Sequence, residues 1–227
     1  MPRRYIQYIH DSIKGNMRSS NRDGVLVHSR EKDHCIFAVL DGVSSQPHSK
    51  FGVNIAIRQI AAHARDFTSA GMVDIRALLA SANNAILDSK YTSPYTTCTV
   101  VAIPYDAECP IGIASVGDTR AYSVSKQYIE KLTRDDSLAE GSNVITKFLG
   151  KQNLQIDEPT EWRTNDEVSQ LLIATDGLYS LLESNKIEFH KALNLKKIRN
   201  VNNGIARLVS GRNNDDASYV FVRVCHV

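Results

Sequence analysis

Five aspartates stand where strand-like stretches of this chain begin or end: Asp23, Asp41, Asp118, Asp176 and Asp215. Asp41-Gly42 closes the apolar run Cys35–Leu40, and Asp176-Gly177 closes the run Gln170–Thr175. Asp118 follows Ile111–Gly117, Asp215-Asp216 immediately precede the last apolar stretch, and Asp23-Gly24 precede the one that starts at Val25. Side chains at the ends of separate strands can converge on one site. Carboxylates gathered in this way repel one another unless a cation sits among them, and hard ions such as Mg²⁺ and Mn²⁺ take oxygen ligands. Asp has a short stem, which suits two ions about 3.5–4 Å apart that share a water and present it as hydroxide to phosphorus. A glycine after the aspartate lets the backbone come close and leaves its carbonyl free to coordinate. One Asp-Gly pair alone is also an ordinary hairpin turn. Asp176-Gly177 is the least turn-like, because a helical pattern rather than a returning strand follows it.

The elements that must hold these residues follow from periodicity. Tyr5–His10 reads as a first strand, a polar loop runs from Asp11 to Arg22, and Val25–His28 and Cys35–Leu40 read as two further strands. Helical spacing marks 51–67 (Ile55, Ile60, Ala64, Phe67) and a second helix over 73–89 (Ile75, Leu78, Leu79, Ala82, Ile86). Four short strands follow at Tyr95–Ile103, Ile111–Val116, Arg120–Val124 and Tyr128–Leu132, a meander that favours antiparallel pairing. The pattern then predicts a short helix over 143–149, a strand over Gln155–Arg163 and an apolar strand over Val168–Thr175. A broken helical region runs from Leu178 to about Val209, and Ser218–Val224 closes the chain as a strand. The expectation is an α+β fold with helices covering packed antiparallel sheets.

Composition narrows the setting. The 227 residues, 42% of them hydrophobic, suffice for a full core, and nothing divides residues 1–227 into more than one domain. The 27 basic and 25 acidic residues are mixed along the chain, which argues against nucleic acid and a membrane surface as partners. Cys35, Cys98, Cys109 and Cys225 form no CxxC pair, and no apolar run approaches the length of a membrane span, so a reducing cytoplasm is the expected location. Neither GxxxxGK[ST] nor GxGxxG occurs. Trp162 reads as packing, His63 as a helix-surface or core residue, and Lys196-Lys197-Ile-Arg199 as a solvated helix face.

In order, eight segments resemble the motifs of the type 2C, metal-dependent protein phosphatases. Arg18-Ser-Ser-Asn21-Arg-Asp23 is similar to R-x-x-N-x-D, and Phe37-Ala-Val-Leu-Asp41-Gly42 to the strand ending in DG. Thr96-Thr97-Cys98-Thr99-Val100-Val101 resembles the G-T-T strand without its glycine, and Ser115-Val-Gly-Asp118-Thr-Arg120-Ala-Tyr122 resembles V-G-D-S-R-A-Y. Leu132-Thr133-Arg134-Asp135-Asp136-Ser137 resembles L-T-x-D-H-S, and Asn143-Val-Ile-Thr-Lys-Phe-Leu-Gly150 resembles N-V-I-T-R-A-L-G. Leu172-Ile-Ala-Thr-Asp176-Gly177-Leu178 resembles the S-D-G-L motif, and Asp215-Asp-Ala-Ser218 resembles D-N-x-T/S.

The resemblance implies a four-layer αββα sandwich with a two-metal centre, holding Mn²⁺ or Mg²⁺, at one end of the sheets. It implies Asp41 as the bridging carboxylate and Gly42 as a carbonyl ligand. Asp176 and Asp215 would complete the first metal's ligands, and Asp23 would serve the second. Asp118 with Asp176 would hold a third, weaker ion, and Arg18 would clamp the substrate phosphate. The forked guanidinium suits tetrahedral phosphate oxygens better than a lysine does. The implied reaction is hydrolysis of phosphoserine or phosphothreonine in a phosphorylated protein, opposing a serine/threonine kinase. It proceeds by direct attack of a hydroxide bridging the ions.

The chain also departs from the pattern. Val43-Ser44-Ser45 follows Asp41-Gly42, so no general acid stands there, and His48 reads as a solvated loop histidine. Only four residues separate Leu138 from Asn143, where bacterial relatives insert a flap, which points to an open site. Thr175 and Asp216 replace a serine and an asparagine. Two alternatives stand beside the general phosphatase: an enzyme dedicated to one small regulatory protein, and a catalytically weak member that binds phosphoproteins or partners.

Overall fold

Cys35 to Leu40 are all buried, and strand alternation sends them to two different cores. Cys35, Phe37 and Val39 face one apolar layer, whereas Ile36, Ala38 and Leu40 face another. Such a strand, covered on both sides, reads as an unbroken apolar run rather than an alternating one. In the computed structural model, which describes residues 2–226 apart from 31–32, 67–72, 140–141, 143 and 164–167, that two-sided burial organises the whole chain.

Three strands, β1 (Arg4–Ile13), β2 (Gly24–Arg30) and β3 (His34–Gly42), precede helices α1 (Ser49–Asp66) and α2 (Ile75–Leu87). Then come β4 (Thr96–Pro104), β5 (Ile111–Val116), β6 (Arg120–Val124), β7 (Ile129–Lys131), β8 (Thr160–Trp162) and β9 (Val168–Ala174). Helices α3 (Asp176–Ser184), α4 (Lys186–Leu193) and α5 (Ile198–Val209) lead into the last strand, β10 (Ala217–His226). One five-stranded sheet has the order β1-β10-β9-β6-β7 and the other β2-β3-β4-β5-β8, with every pairing antiparallel.

Between the sheets, Phe37, Val101, Ile113, Leu171, Ile173, Val220 and Val222 form the inner core. Outside one sheet, Ile36, Leu40 and Val100 pack against Val53 and Ile60 of α1 and Leu78 and Leu79 of α2. Outside the other, Leu172, Tyr219 and Phe221 meet Leu178, Phe189, Val201 and Ile205 of the three later helices. This is the αββα sandwich expected from the sequence. Asp74 caps α2, its carboxylate accepting from the Ala77 amide at 3.0 Å. Trp162 packs against the inner core, as expected, and the His63 ring pairs with Ser81 at 3.1 Å across α1 and α2.

Three expectations are corrected. The first strand does not stop at His10; Asp11, Ser12 and Ile13 continue the ladder opposite Tyr219, Ser218 and Ala217. The stretch 143–149, expected as a helix, is irregular in its described part, with two isolated bridges, Asn143 lying outside the described residues, as does Phe67 at the end of the first expected helix. Ile145 bridges to Ser137 and Leu149 to Thr96, so the β-branched run Val144-Ile145-Thr146 follows its pairing partners instead of a helical repeat. The strand expected over Gln155–Arg163 shrinks to Thr160–Trp162. Leu154 and Ile156 pack against the core under α1 and α2, and Pro159 has no amide for a ladder. Among the described residues no helix is long and apolar enough to cross a membrane.

Candidate metal centre

The five aspartates meet because five different element ends reach the same end of the sandwich. Asp41 is the penultimate residue of β3, opposite Thr97, and the Thr96 hydroxyl donates to its carbonyl at 2.7 Å. Gly42, the last residue of that strand, is buried, and a Cβ on it would lie 2.9 Å from the Arg22 carbonyl. Asp118 sits in the turn from β5 to β6. Asp176 opens α3, whose Gly177 lies so close to Asp216 that a Cβ would stand 2.2 Å from the Asp216 carbonyl oxygen. Asp23 is 2% exposed, beneath the others, and accepts a hydrogen bond from the Thr175 hydroxyl at 2.9 Å. That hydroxyl in turn accepts from the Ser218 amide at 2.9 Å, so the threonine keeps the polar function of the serine it replaces.

Arg18, Asp41, Asp118, Asp176 and Asp215 all line one cavity of about 570 Å³. Asp23 and Gly42 lie behind its wall rather than in it. Among the described residues no three acidic, histidine or cysteine side chains stand as a ready-made ligand group. Asp215 is instead turned to Arg18, whose Nε donates to Oδ1 at 2.5 Å and whose Nη2 donates to Oδ2.

The electrostatics follow from crowding. Desolvation, reinforced by Asp23, Asp176, Asp118 and Asp215, holds the Asp41 carboxyl well above the ordinary range. Burial, with Asp216 and Asp176 adding to it, pushes Asp23 up to about 8 despite hydrogen bonds from Ser218 and Thr175. Burial and then Asp176 raise Asp118 to about 6, and burial and then Asp215 raise Asp176. Asp176 Oδ1 is buried without any hydrogen-bond partner. An acceptor left bare among repelling carboxylates is a costly arrangement that a hard dication relieves. The donor set therefore fits Mg²⁺ or Mn²⁺.

One wall of the cavity was not assigned a role from the sequence. Arg120, the first residue of β6, donates through Nε and Nη2 to Asp135 at 3.0 and 2.6 Å and through Nη1 to Glu183 at 2.6 Å. Its guanidinium carbon lies 3.7 Å from the centre of the Tyr179 ring. Position was the available signal: Arg120 stands two residues after Asp118. His48 is not a free loop side chain either. Its Nδ1 is 2.8 Å from the Thr92 carbonyl and its ring packs near Phe51 and Tyr91, and it does not line the cavity.

The family model for protein phosphatase 2C matches residues 16–217, a span that contains every one of these side chains. The chain belongs to the protein phosphatase 2C family. Solved structures share its fold. The catalytic domain of the serine threonine protein phosphatase PstP, in complex with two manganese ions, is 21% identical with a TM-score of 0.77, covering 98% of this chain and 99% of that one. The S. agalactiae serine/threonine phosphatase is 20% identical with a TM-score of 0.80, over 96% and 99% of the two chains. RsbX in complex with magnesium is 16% identical with a TM-score of 0.71, over 99% and 100%. No curated protein matches the chain in sequence.

Within this family frame the described residues on either side of the short connection after Leu138 pair, Ser137 bridging to Ile145. The Leu138 amide donates to the Val144 carbonyl at 2.9 Å, and Ser142 and Ile145 reach the cavity. The turn holding Asp118 is fixed by Asp136, whose carboxylate accepts from the Gly117 amide at 3.0 Å and whose amide donates back at 2.8 Å. Gly117 has φ of +100°, and a Cβ there would lie 2.4 Å from Thr97 Cγ2. Gly117→Ala should therefore cost about 2–4 kcal/mol, combining overpacking with an unfavourable backbone for an L residue. Denaturant unfolding measures this, and a loss under about 0.5 kcal/mol, the scale of a neutral surface change, would contradict it.

Proposed function

We propose that this chain, as one catalytic domain over residues 1–227, hydrolyses phosphoserine and phosphothreonine esters of a phosphorylated protein in the cytoplasm and so opposes a serine/threonine kinase. The observation that carries the proposal is the convergence of Asp41, Asp118, Asp176 and Asp215 with Arg18 on one cavity. Asp41, Asp176 and Asp215 would hold one Mn²⁺ or Mg²⁺. Asp41 would share a second with the Gly42 carbonyl and Asp23, and Asp118 with Asp176 would hold a third. When bound, the ions supply positive charge against phosphoryl oxygens and acidify water.

The remaining steps belong to the chain. Arg18 leaves Asp215 and turns its paired N–H groups to two phosphate oxygens, fixing the phosphorus opposite the carboxylates. Ser44 and Ser45, which line the cavity, can hydrogen-bond the ester but have no acidity to protonate a leaving alkoxide. With His48 held elsewhere, the leaving oxygen takes its proton from water. The Arg120, Asp135 and Glu183 wall keeps its own charges paired and presents the Tyr179 ring and Ser180 to the segment beside the phosphate.

Hydrolysis of para-nitrophenyl phosphate and of phosphoserine peptides with Mn²⁺ tests the reading. Arg18→Ala should raise KM by about tenfold or more, the scale of a charge-assisted hydrogen bond, and should lower kcat less. Calorimetric Mn²⁺ affinity should hold or rise in that variant, because a competing cation leaves Asp215. A variant with unchanged KM would remove Arg18 from phosphate binding. Retained binding of phosphopeptide without any metal-dependent turnover would replace the enzyme by a phosphoprotein-binding module.

A further inference from the structure

Asp216 is 3% exposed, and each of its carboxylate oxygens is taken up by a different backbone amide. Oδ1 accepts from Gly15 N at 2.8 Å, and Oδ2 accepts from Arg22 N at 2.8 Å. Those two residues bracket the loop that carries Arg18 and delivers the chain to Asp23. Further bonds hold the loop from the same segment between α5 and β10: Asn16 N donates to the Asn213 carbonyl at 2.9 Å and Met17 N to the Asn214 carbonyl at 3.2 Å. Gly15 is pressed so closely on this segment that a Cβ would stand 2.5 Å from the Asn214 carbonyl oxygen. The Asn213 side-chain amide donates to the Lys14 carbonyl at 3.2 Å. Yet one side chain ties both ends of the loop, and it does so as a pure acceptor.

We propose that Asp216 is a positioning residue of the phosphatase site, a carboxylate that cinches the 15–22 loop at both ends so that Arg18 faces the cavity and Asp23 sits behind its wall. The proposal rests on the phosphatase reading above for its kinetic consequence, but not for its structural one. In this chain the chemistry of the place suits Asp, which stands where the family motif has Asn. Both partners are N–H donors, and an ionised carboxylate offers two acceptor atoms, whereas an amide offers one acceptor and one donor. Asn at 216 would point its NH₂ at either Gly15 N or Arg22 N, two donors facing each other in a buried place. A role in packing alone would not distinguish the two side chains, which have nearly the same shape.

Asp216→Asn is the test, with three readouts. Amide hydrogen exchange should speed up by about ten- to a hundredfold at Gly15 or Arg22, the loss expected for a bond to a charged group, while β9 and β10 amides stay protected. KM for para-nitrophenyl phosphate should rise by about tenfold with a smaller fall in kcat, because the phosphate clamp is loosened more than the carboxylates. Calorimetric Mn²⁺ affinity should fall less than it does in Asp176→Asn. Unchanged exchange at both amides and unchanged KM would overturn the proposal. If the variant does not fold, the parent decides: Gly15 and Arg22 should exchange as slowly as strand amides, and fast exchange at both would sink it. If the parent shows no turnover at all, the phosphatase reading fails while the exchange data still judge Asp216.

Discussion

Asp41→Asn should lose Mn²⁺-dependent phosphomonoesterase activity by on the order of 10³-fold or more, and the metal-free variant should be more stable than the parent at neutral pH. Asp41 is the carboxylate on which the others bear: Asp23, Asp176, Asp118 and Asp215 all raise it, after desolvation. This crowding supports the proposed role of Asp41 as a carboxylate shared by two ions. Charge stabilisation by a dication contributes several kcal/mol, and each 1.36 kcal/mol is a factor of ten, which sets the expected loss. Asn keeps the shape of the side chain, so strand β3 and its pairing with β4 remain. The gain in metal-free stability has a definite sign. Above the ordinary carboxylate range the unfolded chain has released this proton, while the folded chain either holds it or suffers the repulsion, so the carboxyl costs stability there. Asn removes that cost, and the difference from the parent should vanish near pH 4. A variant that keeps more than about a tenth of parent turnover, a difference of only ~1.4 kcal/mol, would take Asp41 out of the metal bridge.

Some of this was legible in the residues because local pattern and burial agree. Cys35–Leu40 reads as an apolar run ending in Asp-Gly because both faces of β3 are covered, and Ile60, Ala64, Leu78 and Leu79 repeat at helical spacing because one face of each helix is. The aspartates were visible as strand-end residues for the same reason. What was not legible depends on partners far away in the chain. The non-helical course of 144–149 goes with its bridges to Thr96 and Ser137, against a motif that looks helical in isolation. Arg18 binds Asp215 across 197 residues, and the Asp216 oxygens find amides 201 and 194 residues away. An Asp beside another Asp carries no local mark that separates a ligand from a loop clamp. The burial of Asp23 behind the cavity wall is likewise a tertiary fact: the Arg18–Asp23 motif marks the residues but is polar throughout, and its burial depends on contacts with Thr175 and Asp216 far along the chain.

The same crowding makes metal binding and pH inseparable, which gives the second large expected effect. Metal-free parent should lose stability as pH rises from about 5 to 8, and Mn²⁺ should restore it, with a gain in Tm that grows over that range. Asp118, raised to about 6, and Asp23, raised to about 8, keep their protons in the folded chain where the unfolded chain has given them up. The folded state therefore binds more protons than the unfolded one between the ordinary carboxylate pKa and these raised values, and stability falls with pH in that window. Above it the penalty is fully present. A dication binds only the gathered carboxylates and needs them deprotonated, so its affinity rises as the protons leave. At a hundred times Kd a single site adds about 2.7 kcal/mol. For a chain of 227 residues that corresponds to a rise in Tm of about 5–10 °C. Thermal unfolding at pH 5.5 and pH 8, each with EDTA and with Mn²⁺, separates the contributions. A Tm indifferent to Mn²⁺ at pH 8 would mean that the carboxylates do not close on a metal. A larger gain at pH 5.5 would mean that the ion binds without displacing protons, against the chemistry of this donor set. Asp41→Asn should flatten both curves, since it removes the carboxylate on which Asp23, Asp176, Asp118 and Asp215 all bear and which is proposed to hold the ions.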